Sequence, residues 1–117
     1  MECTIDFYET KNGKCPVREF LHALEERDID THTIIVEGLK KLEHRSNHHE
    51  PLSKSIGNGL YELRHVGKLN TRVLWFFRKG RRIIAVHGIR HKAKKIPQSD
   101  MSVALQRKKD WENRHKK

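Results

Sequence analysis

Between Leu60 and Gly88 the chain reads LYELRHV, GKLN, TRVLWFF, RKGR, RIIAVHG. Three runs of β-branched, aromatic and aliphatic residues follow one another with only four-residue polar breaks between them. A break that short cannot carry a crossover, so consecutive strands must return antiparallel. The second and third runs are apolar almost throughout their middles. Such strands are covered on both faces or flanked within a sheet. This meander is the element around which the rest of the chain must fold.

The segments before it are helical, with one exception. TIDFYE (4–9) alternates, with Ile5 and Phe7 on one side, and reads as a strand. KNGK is a turn. Pro16 suits the first turn of a helix, and Val17, Phe20, Leu21 and Leu24 give that helix an apolar stripe. RDID interrupts the pattern. Asp30 or Thr31 is placed to cap a second helix, whose stripe is Ile34, Ile35, Gly38, Leu39 and Leu42. Residues 44–59, HRSNHHEPLSKSIGNG, read as a polar loop. After the meander, Pro97 and Ser99–Asp100 open a last helix with Met101, Ala104, Leu105 and Trp111 as a partial stripe and Trp111 as its anchor. Residues 112–117 are expected to fray.

The predicted order is therefore β-α-α-β-β-β-α, an α+β fold in one domain spanning 1–117. The first strand must join the sheet, since a strand cannot stand alone. The helical hairpin covers one face of this mainly antiparallel sheet and leaves the other partly open for a ligand.

Charge narrows the function. The formal net charge is +10, and it is unevenly placed. Up to Leu63 there are 8 basic and 12 acidic residues; from Arg64 onward there are 17 and 3. A chain with its positive charge gathered in one half points to a polyanion, nucleic acid first. No apolar run approaches a membrane span, and the N-terminus lacks the pattern of a secretory signal. Two cysteines, Cys3 and Cys15, make no disulfide framework, which fits a reducing, cytoplasmic setting. HRSNHHE, with His44, His48, His49 and Glu50, lacks paired thiols. It reads as an exposed loop rather than a metal site. No metal or cofactor is expected.

LYELR (Leu60–Arg64), RVLWFF (Arg72–Phe77), the strand end Ala85–Lys92, and Pro97 followed by Ala104-Leu105-Gln106-Arg107 together resemble the phage-derived, HigB-like branch of the RelE/ParE toxin superfamily. The motifs span the last half of the chain; the first half agrees in element order only. The resemblance implies a RelE-like fold and a toxin paired with a small helix-turn-helix antitoxin. Many relatives cut messenger RNA on the ribosome, while others act on DNA gyrase, so a common fold leaves the activity open. A non-catalytic nucleic-acid-binding module is a third reading.

RNA cleavage by its own 2′-hydroxyl needs no metal. It needs a proton acceptor, cations around the crowded phosphate, and a donor for the leaving oxygen. Arg64 closes one strand and Arg72 opens the next, so both lie near one turn, where the resemblance also places recurrent arginines. They are expected at the phosphate. At the end of the third strand the related pattern has two lysines; here His91 precedes Lys92. His91 is a candidate proton carrier, and Lys92 a candidate cation. These four are the expected catalytic set. Arg90, Lys94, Lys95, Arg78 and Lys108 are expected to hold the RNA backbone. His87, read on the same side of its strand as Ala85 and Ile89, is expected to be structural, and Tyr61 and Trp75 to pack in the core rather than stack on bases.

Overall fold

The structure, a computed structural model, describes residues 2–48, 50, 52–79 and 81–115. In chain order the elements are β1 (Thr4–Phe7), α1 (Pro16–Arg27), α2 (Ile29–Lys41), β2 (Ser53–Gly57), β3 (Leu60–His65), β4 (Asn70–Arg78), β5 (Arg82–His91) and α3 (Gln98–Arg114). The fold is α+β, in the expected order, with one strand more than the sequence suggested. The strands form a single sheet in the order β1-β5-β4-β3-β2. β2–β3–β4–β5 is an antiparallel meander, and β1 joins it parallel to β5.

β4 is central. It is flanked by β3 and β5, and helices lie on both of its faces, so Asn70 through Phe76 are all buried. On one face Val73, Trp75, Leu63, Ile83 and Ala85 pack beneath α1 and α2. On the other, Leu60, Leu74, Phe76, Ile84 and Ile89 pack beneath α3. Trp111 is 3% exposed and anchors α3 there; burying a side chain of this size contributes about 1.5–3 kcal/mol or more. Tyr61 stacks on Trp75 with ring centroids 4.7 Å apart, so both aromatic residues belong to the core.

Four expectations change. Ser53–Gly57, read as loop, is an edge strand: an edge has one hydrogen-bonded neighbour and tolerates polar side chains on its outer positions. The N-cap of α2 is Asp28, not Asp30 or Thr31. Its carboxylate accepts from the Thr31 backbone N–H at 3.1 Å and from the Thr31 hydroxyl at 2.8 Å. Ile34 lies off the packed stripe and is 45% exposed. α3 continues to Arg114, beyond the point where fraying was expected; Lys116 and Lys117 lie outside the described residues.

The 44–50 segment also differs. Arg45–Asn47 form a single 3₁₀ turn. His48 folds inward against Trp75 and Phe77, and its Nε2 lies 2.6 Å from the Leu42 carbonyl. His49 lies outside the described residues. Among the described residues, no group of three or more His, Cys, Asp or Glu is placed to hold a metal.

A β-bulge sets the faces of β5. Leu74 pairs with His87, but the next residue, Trp75, pairs with Ala85, so Val86 is extra. Below the bulge Ala85 faces the helical hairpin; above it His87 and Ile89 face α3. Ala85 and His87 are therefore on opposite sides, contrary to simple alternation, because one inserted residue reverses the phase of a period-two strand. Gly88 then falls under α1, where the Phe20 ring lies on its backbone. A methyl group there would sit 2.3 Å from two ring carbons. Gly88→Ala is expected to lower stability by about 1–3 kcal/mol through overpacking, seen as a lower urea midpoint with an unchanged slope.

Candidate nucleic-acid cleft

The α3 face is only partly covered, and its open part is where β3, β4 and the end of β5 converge. Two clefts meet there. One, of about 420 Å³, is lined by Arg64, Val66, Gly67, Asn70, Arg72, Lys92 and Lys94. The other, of about 330 Å³, runs past Lys54, Ser55, Glu62, Arg64, Lys94, Lys95 and Met101. Arg64 and Lys94 line both.

Register explains the convergence. Arg64 and Arg72 are directly opposed across β3 and β4, as the hairpin reading requires. Two like charges in that relation repel. Glu62, one pleat away on the same face, offsets them: its carboxylate lies 3.2 Å from the Arg72 Nε and 3.7 Å from the Arg64 Nε.

The two arginines have different environments. The Arg64 side chain is 29% exposed and reaches the cleft. Arg72 is 1% exposed. Beyond Glu62, its guanidinium donates to the Ala93 carbonyl from both terminal nitrogens, at 3.4 Å each, and from Nη2 to the Lys94 carbonyl. Asn70 adds a bond from Nδ2 to the Ala93 carbonyl at 3.0 Å. Arg72 thus holds the turn that presents Lys92, Lys94 and Lys95, all exposed. A guanidinium suits that task, since its donors are numerous and in one plane.

His91 stands behind this turn. Its Nδ1 accepts the Ala93 backbone N–H at 3.1 Å, and its Nε2 is buried without a hydrogen-bond partner. It lines neither of the two clefts.

Arg90, next in the strand, points to the other face, where it pairs with Asp28 at 2.5 Å. The bonds from the Thr31 side chain and backbone, then the one from Arg90, hold the Asp28 carboxyl below the usual range. Arg78 and Lys108 are away from the cleft. Arg78 ends β4, and Lys108 lies against Phe76 and pairs with Glu112 at 3.1 Å.

His87 is clasped by α3. Arg107 donates from Nη1 to its Nδ1 at 3.0 Å and to the Val86 carbonyl at 2.8 Å. Because a guanidinium can only donate, Nδ1 is the acceptor and the proton resides on Nε2, 2.7 Å from Asp100 Oδ1. Burial lowers the pKa of Arg107. The clasp ties α3 to the bulged strand.

Of the expected residues, then, Arg64, Lys92, Lys94 and Lys95 come together at the cleft, with Arg72 beneath them. Sequence reasoning missed Lys54 and, as part of the site, Glu62. Glu62 carried a signal: it is the only acid in the three strand runs, surrounded by a basic half-chain.

Cysteines 3 and 15 are both buried and free. No helix among the described residues is long and apolar enough to cross a membrane. No curated protein matches the chain. A family model described as phage-derived protein Gp49-like (DUF891) matches residues 19–109, which takes the likeness back from the strand motifs through both hairpin helices. With that span matched and a mainly antiparallel sheet between a helical hairpin and a C-terminal helix, the chain belongs to the Gp49-like family, a family of RelE/HigB-like toxins.

Proposed function

We propose that the protein is the toxin of a type II toxin–antitoxin pair, of the HigB kind, and that it cleaves messenger RNA on the ribosome in the cytoplasm. The observation that carries this reading is the convergence of Arg64, Lys92 and Lys94 on one cleft, joined through Arg64 and Lys94 to a second whose lining holds a single carboxylate, Glu62. The RNA 2′-hydroxyl attacks the adjacent phosphorus and expels the 5′-oxygen, leaving a 2′,3′-cyclic phosphate and a 5′-hydroxyl. Arg64 and the lysines stabilise charge gathering on the phosphate oxygens. Glu62 is the lining group able to take the 2′-hydroxyl proton, and the ammonium groups of Lys92 and Lys94 can supply one to the leaving oxygen. Arg72 acts through the 92–95 turn. A helix-turn-helix antitoxin is the partner this reading implies.

Primer extension on total RNA after brief induction tests it. New 5′ ends inside coding regions support cleavage. Intact messages with supercoiling defects would transfer the activity to gyrase. Unharmed cells with intact RNA would end both toxin readings.

His91 offers a finer test. A group that moves a proton in the transition state contributes about 10²–10⁴ in rate. His91 bonds to Ala93 rather than facing the cleft, so His91→Gln is expected to slow single-turnover cleavage by less than about tenfold, well below that range. A loss of a thousandfold with RNA binding intact would make His91 the proton carrier.

A further inference from the structure

The cations that the cleft leaves unused gather at the opposite pole. Along β4, Arg72 and Arg78 lie roughly 20 Å apart at the rise of a strand, and the chain turns at Arg78 into β5. The turn carries Arg78, Lys79 and Arg81, and α3 ends beside it. Arg82 is neutralised by Asp6 at 2.8 Å and Arg114 by Asp110 at 2.9 Å. The hollow of about 550 Å³ beside them contains both acidic and basic side chains and is close to balanced. The turn is not. Lys79 and Arg81 are exposed, and neither has an ion-pair partner among the described residues.

Two features show that these cations are held out rather than merely left over. The Arg78 guanidinium lies over the Trp111 ring, 5.7 Å from its centroid, and donates to the His115 carbonyl at 3.2 Å. It is thereby fixed in place before any ligand arrives. Lys79 has φ +51°, a left-handed conformation that glycine or asparagine takes at less cost. A lysine there carries that backbone cost at an exposed position of the turn.

The chemistry of the pole selects its ligand. Single-stranded nucleic acid binds by stacking bases on exposed aromatic rings as well as by charge. The rings at this pole, Trp111 at 3% exposed and the His115 imidazole stacked on it with centroids 3.9 Å apart, sit at the end of α3 and are engaged with each other; the turn itself, through Arg78, Lys79 and Arg81, offers bases no ring to stack on. A membrane surface would call for exposed apolar side chains. Among the described residues the large exposed apolar ones are Ile29, Ile34 and Val66, none of them on this turn. What remains is recognition of phosphates alone, which an A-form duplex presents on its outside while hiding its bases. We propose that the β4–β5 turn is a second RNA-binding surface that takes the phosphate backbone of duplex RNA, leaving the cleft free for a single strand. The proposal does not depend on cleavage.

The test is fluorescence anisotropy of the full chain with a 5′-labelled RNA duplex of about 16 base pairs, the span of a double-stranded-RNA module, across a salt series. Each phosphate contact contributes about 0.9 to the slope of log K against log salt. Lys79→Gln/Arg81→Gln is expected to flatten the slope by about 2 and to weaken duplex binding by tenfold or more near 0.1 M salt. Lys79→Glu/Arg81→Glu should weaken it further. Arg64→Gln/Lys92→Gln should leave the duplex slope unchanged and weaken a single strand of the same length. An unchanged duplex slope in both turn variants overturns the proposal. So does a turn-dependent affinity for phosphatidylserine vesicles exceeding that for the duplex. Absence of cleavage by the wild-type protein, with turn-dependent duplex binding intact, would refute the nuclease reading and leave this surface standing.

Discussion

Replacing Arg72 with alanine is expected to lower the unfolding free energy by about 3–5 kcal/mol, the usual cost of removing one partner from a buried ion pair. A domain of this size has only about 5–15 kcal/mol in total. Arg72 and Glu62 are 1% and 4% exposed. The alanine variant would strand the Glu62 carboxylate and release the Ala93 and Lys94 carbonyls. A urea melt measures the first effect. Glu62→Leu/Arg72→Met separates it from the second. Replacing both members of a buried pair by apolar residues of similar volume is often neutral in stability, so the double variant should recover much of the lost midpoint. It should not recover cleavage, because it lacks both the donor that holds the lysine-bearing turn and the Glu62 carboxylate. Recovery of both would show that Arg72 serves the fold alone and would remove Glu62 as the proton acceptor.

Arg64→Ala is the second large effect, and it falls on rate rather than stability. Its ion pair with Glu62 is partly exposed and long, at 3.7 Å, and such pairs contribute only about 0–1 kcal/mol. Stability should therefore change little. At the cleft, removal of a donor aimed at transition-state charge typically costs about 10²–10³ in rate. Single-turnover cleavage should fall by that factor. Arg64→Lys should restore part of it, since the charge returns without the two-pronged geometry. Wild-type cleavage by the alanine variant would remove Arg64 from the site.

The meander was legible because its signal is local: three apolar runs with short breaks admit one connection. The helical hairpin was legible for the same reason, through Leu21 and Leu24 on one helix and Ile35 and Leu39 on the next. β2 was hidden because SKSIG has one buried residue, Ser53, and no apolar alternation; its strandedness comes from its neighbour β3. The Asp28 cap was hidden because RDID offers two aspartates, and the one chosen also receives Arg90 from 62 residues away. At the site, the sequence placed Arg64 and Arg72 together but could not say which would be buried. That depends on the loop folding back over β4. Arg90 and His91 were assigned to one cluster because they are adjacent, yet adjacent residues of a strand face opposite ways. Position relative to the bulge puts Arg90 on the opposite face of the sheet, and His91, on the cleft's face, is held behind the 92–95 turn.

The extra residue at Val86 therefore works as a phase setting. Everything from His87 to the end of β5 owes its face to a count, not to its own chemistry. With Val86 removed, pairing would run straight from Ala85 opposite Trp75 to His87 opposite Leu74, and every later side chain would keep its face. Were Val86 instead to take a regular pair with Leu74, the strand end would turn over: Arg90 would swing to the cleft side and His87 away from Arg107 and Asp100. The cation that now braces the cap of α2 would join the basic cleft, and α3 would lose its clasp. The bulge thus acts as a buffer that absorbs an odd residue count, so that both ends of the last strand keep the faces they need.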